Sequence, residues 1–164
     1  MNSLILALSG FVLVFGFVLL RGAPYLPTRK NQITAGLDLL DLKPGQTMLE
    51  LGSGDGAVLL AAAQRGCKSV GYELNPILVV ISRLRCYRYR KLITIYWGDY
   101  WLKQWPPSDG MFVFLLDKYM KKLDTKITQY NRSAEYRLVS HAFKVPGKTI
   151  AKSTDGVYLY IYKK

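Results

Sequence analysis

The chain's chemistry concentrates where an apolar strand runs straight into glycines. Leu49-Glu50-Leu51-Gly52-Ser53-Gly54-Asp55-Gly56 places a sharp turn after a buried-type run. Glycines there let the backbone bend and bring N–H groups close to a ligand. The spacing Gly52-x-Gly54-x-x-Ala57 also satisfies the dinucleotide fingerprint, so the glycines alone leave a nicotinamide-binding oxidoreductase open. The acids separate the two readings. Glu50 lies in the strand and Asp55 in the turn, where negative charge gives a pyrophosphate nothing. It attracts a cation such as the ammonium and sulfonium of S-adenosylmethionine.

About twenty residues on, Glu73 closes a second short strand, where a carboxylate accepts hydrogen bonds from both ribose hydroxyls; a surface glutamate is the plainer reading. Asn75-Pro76 opens the helix that follows. Asp99, in Trp97-Gly98-Asp99-Tyr100-Trp101, suits an adenine amino group with aromatic rings such as Tyr100 flanking the base, or else a plain turn. The single histidine, His141, excludes most metal sites and histidine-based triads, and it reads as a structural residue. Cys67 and Cys86 show neither CxxC pairing nor framework spacing, so they read as reduced thiols.

Positioning these groups requires strands alternating with helices. Ile33–Leu42 has helical periodicity, and Thr47–Leu51 reads as a buried strand. An Ala-rich helix is expected over 57–64, a strand over 69–73, and a helix from Pro76 to about Arg90. Further strands are expected over 92–96, 111–116, 136–143 and 157–162, with a helix over 118–130 and a short extra strand over 148–152. The pattern predicts an α/β fold with a mostly parallel sheet covered on both faces.

Asn2 to Leu20 contains no charged residue, and at 1.5 Å per residue it comes close to spanning about 30 Å of hydrocarbon. No Lys or Arg precedes it, which favours a retained anchor over a cleaved signal. Arg21, Arg29 and Lys30 follow it, so the rest of the chain is expected on the cytoplasmic side, or on the matrix side of the mitochondrial inner membrane. The expected division is an anchor over 1–21, a connecting segment over 22–42 and one domain over 43–164. The net charge of +12 suits anionic lipid, nucleic acid or acidic partners, or a solvated basic face. Arg83, Arg85, Arg88, Arg90 and Lys91 form one such cluster, and the interleaved Tyr87 and Tyr89 leave RNA binding open without favouring it.

The order ELGSGDG, GYELNP and GDYW resembles the class I, seven-strand S-adenosylmethionine-dependent methyltransferases. With PYLPT at 24–28 ahead of it, the chain more narrowly resembles the membrane-anchored lysine methyltransferases of the ATP synthase c-subunit and adenine nucleotide translocase, with their prokaryotic relatives. The resemblance implies a Rossmann-like sheet preceded by one transmembrane helix, with S-adenosyl-L-methionine as cofactor. The implied substrate is a protein lysine in or near the membrane; RNA, lipid or a small molecule is the alternative, as is a non-catalytic cofactor-binding adaptor. It implies that Glu50, Gly52, Ser53, Gly54, Asp55 and Gly56 hold the methionine end, Glu73 the ribose and Asp99 the adenine, with Asn75 and Tyr100 also among the cofactor-binding residues. Tyr25, Pro27 and Thr28 would close over the cofactor. Asp117 and Tyr119, at the end of the fourth strand, would receive and orient an incoming amine, although Asp117 equally suits a helix N-cap. The chain departs from the family at Leu116–Met120, where a more apolar segment is expected, and in a C-terminal third with little room for a last helix.

Overall fold

The computed structural model describes residues 25–130 and 135–163, together with Ile5 and Ser9. The run at 2–20 therefore lies outside the described residues except at those two positions. Among the described residues no helix is long and apolar enough to cross a membrane.

Strand β1 (Thr47–Leu51) is buried along nearly its whole length and forms the centre of the sheet. It pairs in parallel with β2 (Lys68–Glu73) on one side and β4 (Gly110–Val113) on the other. Strand β3 (Ile93–Trp97) continues outward from β2, and β5 (Glu135–His141) from β4, both in parallel. The antiparallel strands β6 (Lys152–Thr154) and β7 (Val157–Lys163) complete seven strands in the order β3-β2-β1-β4-β5-β7-β6. The order reverses between β1 and β4, and parallel sheets open a crevice at the carboxyl ends of such strands.

Helices α1 (Lys30–Leu40), α2 (Ala57–Gln64) and α3 (Pro76–Arg85) cover one face. Helix α1 buries Ile33, Leu37 and Leu40 at helical spacing, and Gly36 lets it lie flat on Phe112, where a Cβ would meet the ring at 2.3 Å. The other face is covered by α4 (Asp117–Gln129), which buries Met120, Leu123 and Ile127, and by the chain leading to Trp105. Helix α3 begins where Asn75 accepts from the Ile77 N–H at 2.9 Å and Pro76 takes a first-turn position.

Four elements end elsewhere than the periodicity predicts. Strand β4 stops at Val113, and residues 114–116 leave the sheet. Helix α3 stops at Arg85 and tightens into a 3-10 turn (Tyr87–Tyr89) whose Tyr89 N–H reaches the Cys86 carbonyl at 2.8 Å. Strand β5 ends at His141 because Ala142 turns with φ 67° and donates to the Gly156 carbonyl. The extra short strand forms over Lys152–Thr154, displaced from 148–152 by the Asp155-Gly156 turn that pairs it with β7. Residues 142–151 form no helix between β5 and β6.

Gly56 caps α2 with φ 79°, and a Cβ there would meet Ser82 Cβ at 2.9 Å and Cys86 Sγ at 3.1 Å. Gly56→Ala should therefore combine left-handed strain with a clash against α3, lowering unfolding stability by roughly 2–4 kcal/mol. Urea denaturation checks this, and an unchanged midpoint would mean that α2 and α3 pack less tightly than the structure shows.

Candidate active site

The turn after β1 is held from β2. Gly52 and Ser53 N–H groups both donate to the Tyr72 carbonyl, at 2.8 and 2.9 Å. Gly54, at φ 53°, donates its N–H to Glu73 Oε2 at 2.8 Å, while Glu73 Oε1 accepts from the Asn75 N–H at 2.7 Å. Glu73 thus ties the turn to the start of α3. Burial pushes its carboxyl up, and the backbone N–H groups oppose that shift. Each carboxylate oxygen retains acceptor capacity beyond its one N–H.

The other two carboxylates differ sharply. Asp55 forms an ion pair with Arg85 of α3, accepts from the Ala57 N–H at 3.1 Å, and hydrogen-bonds the Tyr25 hydroxyl. Burial first, and then that hydrogen bond, push the Tyr25 hydroxyl up to about 12. Glu50 is buried inside β1, and its Oε2 has no hydrogen-bond partner among the described residues. Burial, followed by the charges of Asp55 and Glu73, pushes the Glu50 carboxyl well above the ordinary carboxylate range. Ser53 Oγ nearby is buried and equally unpartnered among the described residues. The acidity of the turn is therefore unevenly available: Arg85 offsets Asp55, whereas Glu50 faces no cation among the described residues.

On the far side, Asp99 closes its own turn, accepting from the Trp101 N–H at 2.8 Å. Tyr100 and Trp101 lie ring to ring at 4.9 Å, and Trp101 reaches Tyr119 at 5.9 Å. Burial first, and then Asp99, push the Tyr100 hydroxyl upward. Lys126 fastens this loop to α4, its Nζ donating to the carbonyls of Tyr100, Trp101 and Lys103 at 3.0 Å each.

These walls enclose a cavity of about 610 Å³, within the range usual for small-molecule sites. Its lining includes Glu50, Gly52, Ser53, Gly54, Asp55, Glu73, Asn75, Asp99 and Tyr100, with Tyr25, Pro27 and Thr28 lying over it and Tyr119 on its far wall. Two residues expected at the site do not line it. Gly56 packs α2 against α3, and Asp117 is an exposed first-turn residue of α4. Periodicity missed Phe114, Leu115 and Leu116, which read as strand, and Ala142 and Phe143 beyond β5. It also missed Leu74 and Leu78 around the start of α3.

This lining fits S-adenosylmethionine. A buried carboxylate oxygen and a buried hydroxyl without partners among the described residues match an ammonium group, Glu73 retains acceptor capacity for ribose hydroxyls, and Tyr100, Trp101 and Leu78 offer flat and apolar surface to a base. Sheet order and site together define a seven-strand S-adenosylmethionine-dependent methyltransferase fold. The model of the ANTKMT methyltransferase domain matches residues 50–152, and the chain belongs to that family. It is 33% identical to the adenine nucleotide translocase lysine N-methyltransferase of Mus musculus. It is 31% identical to the Xenopus laevis lysine N-methyltransferase of the ATP synthase c-subunit. Each alignment covers 84% of this chain and 62% of the relative, so the chain spans under two thirds of their length. The crystal structure of an RNA methyltransferase from Salinibacter ruber in complex with S-adenosyl-L-homocysteine superposes with a TM-score of 0.76 at 25% identity, over 84% of this chain and 93% of that one.

A cation needs Glu50 as the carboxylate, yet burial and neighbouring acids favour its protonated form. Cofactor affinity should therefore fall as pH drops through the raised Glu50 pKa, with binding near and below that pKa accompanied by proton release. For the ligand-free protein the sign is opposite: a raised carboxyl pKa contributes stability at low pH that is lost as pH rises through it. Glu50→Gln should remove that loss and weaken S-adenosylmethionine binding about tenfold or more. Calorimetry in two buffers of different ionisation heat reads the proton release, and identical heats would exclude it.

Proposed function

We propose that this chain is an S-adenosylmethionine-dependent protein-lysine N-methyltransferase acting on a membrane or membrane-adjacent protein. The observation that carries the methyl-donor half is Glu50, buried with its Oε2 unpartnered among the described residues, at one end of a cavity whose other end is apolar and aromatic. When bound, the cofactor supplies a methyl group activated on a sulfonium. Glu50 and Ser53 hold the methionine end, Glu73 accepts from the ribose, and Asp99 with Tyr100 faces the adenine. Asp55, neutralised by Arg85, shapes the turn and fastens Tyr25 of the closing segment over it.

The acceptor lysine must enter neutral, although its ordinary pKa is about 10.4. Phe114, Leu115, Leu116 and Phe143 surround it with apolar surface, which disfavours the ammonium and lowers that value. Tyr119 contributes a hydroxyl to this region and positions the amine. Asp117, exposed and outside the lining, takes no part in it. An acid there would hold the amine in its charged, unreactive form.

The uncharged run 2–20 supports a single-pass anchor, followed by a covering segment over 22–42 and the catalytic domain over 43–164 on the cytoplasmic or matrix side. Tethering raises effective concentration against a substrate in the same bilayer. The likeness to a structure described as an RNA methyltransferase makes RNA the rival acceptor.

Membranes incubated with enzyme and methyl-labelled S-adenosylmethionine, then divided into protein, RNA and lipid, separate these acceptors. Label on protein lysine is expected, and label confined to RNA or lipid would overturn the proposal. Phe143→Ala should lower kcat/KM for the protein acceptor by about tenfold while leaving cofactor affinity within about twofold, since it removes apolar surface only from the acceptor end.

A further inference from the structure

Helix α3 wears its apolar stripe on the wrong side for a core helix. Its buried line is short and made of small groups, Val79 and Ser82, with Cys86 just beyond. Ile77, Val80, Ile81 and Leu84 recur at spacings of three, one and three, which aligns them on one stripe of the helix. That stripe faces solvent, with Val80 56% and Leu84 71% exposed. Tyr87 extends it past the helix end, and Trp97 of the edge strand β3 is exposed too, its Nε1 donating to the Leu74 carbonyl at 3.0 Å. Isolated exposed apolar residues need no explanation, but a continuous helical stripe rimmed by aromatic rings marks an interaction surface.

Charge identifies the partner. Between Glu73 and Asp99 the sequence has no acidic residue, while Arg83, Arg85, Arg88, Arg90 and Lys91 all fall there. Arg85 is engaged by Asp55, and Arg83 donates to the Ile95 carbonyl at 2.9 Å. Arg88, Arg90 and Lys91 remain exposed beside the stripe, with the Arg90 guanidinium stacked 4.5 Å over the Tyr87 ring. An apolar stripe of this width bordered by cations and amphipathic rings matches the boundary between anionic headgroups and acyl chains. A protein groove would demand shape complementarity from the partner, and RNA would gain nothing from Ile77, Val80, Ile81 and Leu84.

We propose that the outward face of α3, continued through Tyr87 and Trp97, is a monotopic docking surface for an anionic lipid bilayer. Leu84 and Val80 enter the acyl boundary, and Arg88, Arg90 and Lys91 engage phosphate-bearing headgroups. The surface is distinct from the run at 2–20. Tyr25 packs on Gly54 and bonds the same Asp55 that pairs with Arg85. Leu20 precedes Tyr25 by five residues, which allows at most about 18 Å of extended chain. Under the anchored reading, the bilayer lies within that reach of Tyr25, which Asp55 and Arg85 connect to α3. Docked this way, the domain brings α3, the wall that contributes Leu74, Asn75 and Leu78 to the cavity, to the membrane plane.

The full chain carrying Leu84→Cys with an environment-sensitive fluorophore tests this, because Cys67 and Cys86 are buried and escape labelling. The chain is reconstituted in phosphatidylcholine vesicles with or without about 30% phosphatidylserine and with nitroxide-labelled acyl chains; Lys121→Cys on α4 serves as the control probe. The Leu84 probe is expected to be quenched several-fold more than the Lys121 probe, and less so without phosphatidylserine. Replacing Arg88, Arg90 and Lys91 by Glu should lower its quenching in anionic vesicles. A Leu84 probe that stays as open to aqueous iodide in vesicles as in detergent would overturn the proposal. So would protection already complete in detergent together with a dimer's mass, which would assign the face to a second copy. Carbonate extraction of the same vesicles reads the anchor separately, so loss of the anchored reading leaves the α3 result interpretable.

Discussion

Three carboxylates crowd one glycine turn, and the site follows from how unevenly their charge is offset. Glu73 is satisfied by two backbone N–H groups, and Asp55 by Arg85 and the Tyr25 hydroxyl. Glu50 faces no cation among the described residues, and its Oε2 is left without a hydrogen-bond partner; burial and the neighbouring acids outweigh the Leu59 backbone N–H and resist its ionisation. Leaving a buried acceptor unpaired is costly, on the order of 1–3 kcal/mol. A fold that retains one at the end of a cavity is complementary to a ligand that supplies both donors and positive charge. The arrangement explains why the turn bears acids at all, since a phosphate bound at a turn with the same glycines would be repelled by them.

Helix α3 links this interior to the outside. Its N-terminus is tied to Glu73 through Asn75, its last turn sends Arg85 back to Asp55, and Ser82 and Cys86 lie under Gly56. These contacts use its inner line completely and require small side chains there. The apolar bulk of the sequence Ile77–Leu84 therefore has only the outer face to occupy. An inner face dictated by the cofactor turn and an outer face rich in branched side chains are two consequences of one close helix–helix approach.

Much of this was legible from residue order. The run Leu49–Gly56 located the turn, Asn75-Pro76 located the start of α3, and the strand–helix alternation implied a parallel sheet. Three features were not legible, each for a physical reason. Residues 114–116 share the apolar composition of β4, so hydropathy could not show that they leave the sheet to line the cavity. Arg85 and Asp55 are thirty residues apart, and no local pattern reveals that one cancels the other. The stripe on α3 has the periodicity of a core face, and periodicity alone does not say which way a face points. Only packing against Gly56 decided that.

Charge segregation within the cavity bears directly on the lysine acceptor that we propose. The lining acids Glu50, Asp55, Glu73 and Asp99 all sit on the β1, β2 and β3 side, where they favour positive charge. Phe114 to Leu116, Ala142 and Phe143, beyond β4 and β5, contribute no ionisable group. A donor that carries its charge from the start is drawn to the first region. The amine of the proposed acceptor would be held in the second only after giving up its proton, because apolar surface disfavours the ammonium. An acid such as Asp117 placed in that second region would reverse this preference and trap the unreactive form. Its position in the first turn of α4, turned to solvent, favours a helix N-terminus through the macrodipole instead and leaves the acceptor end uncharged.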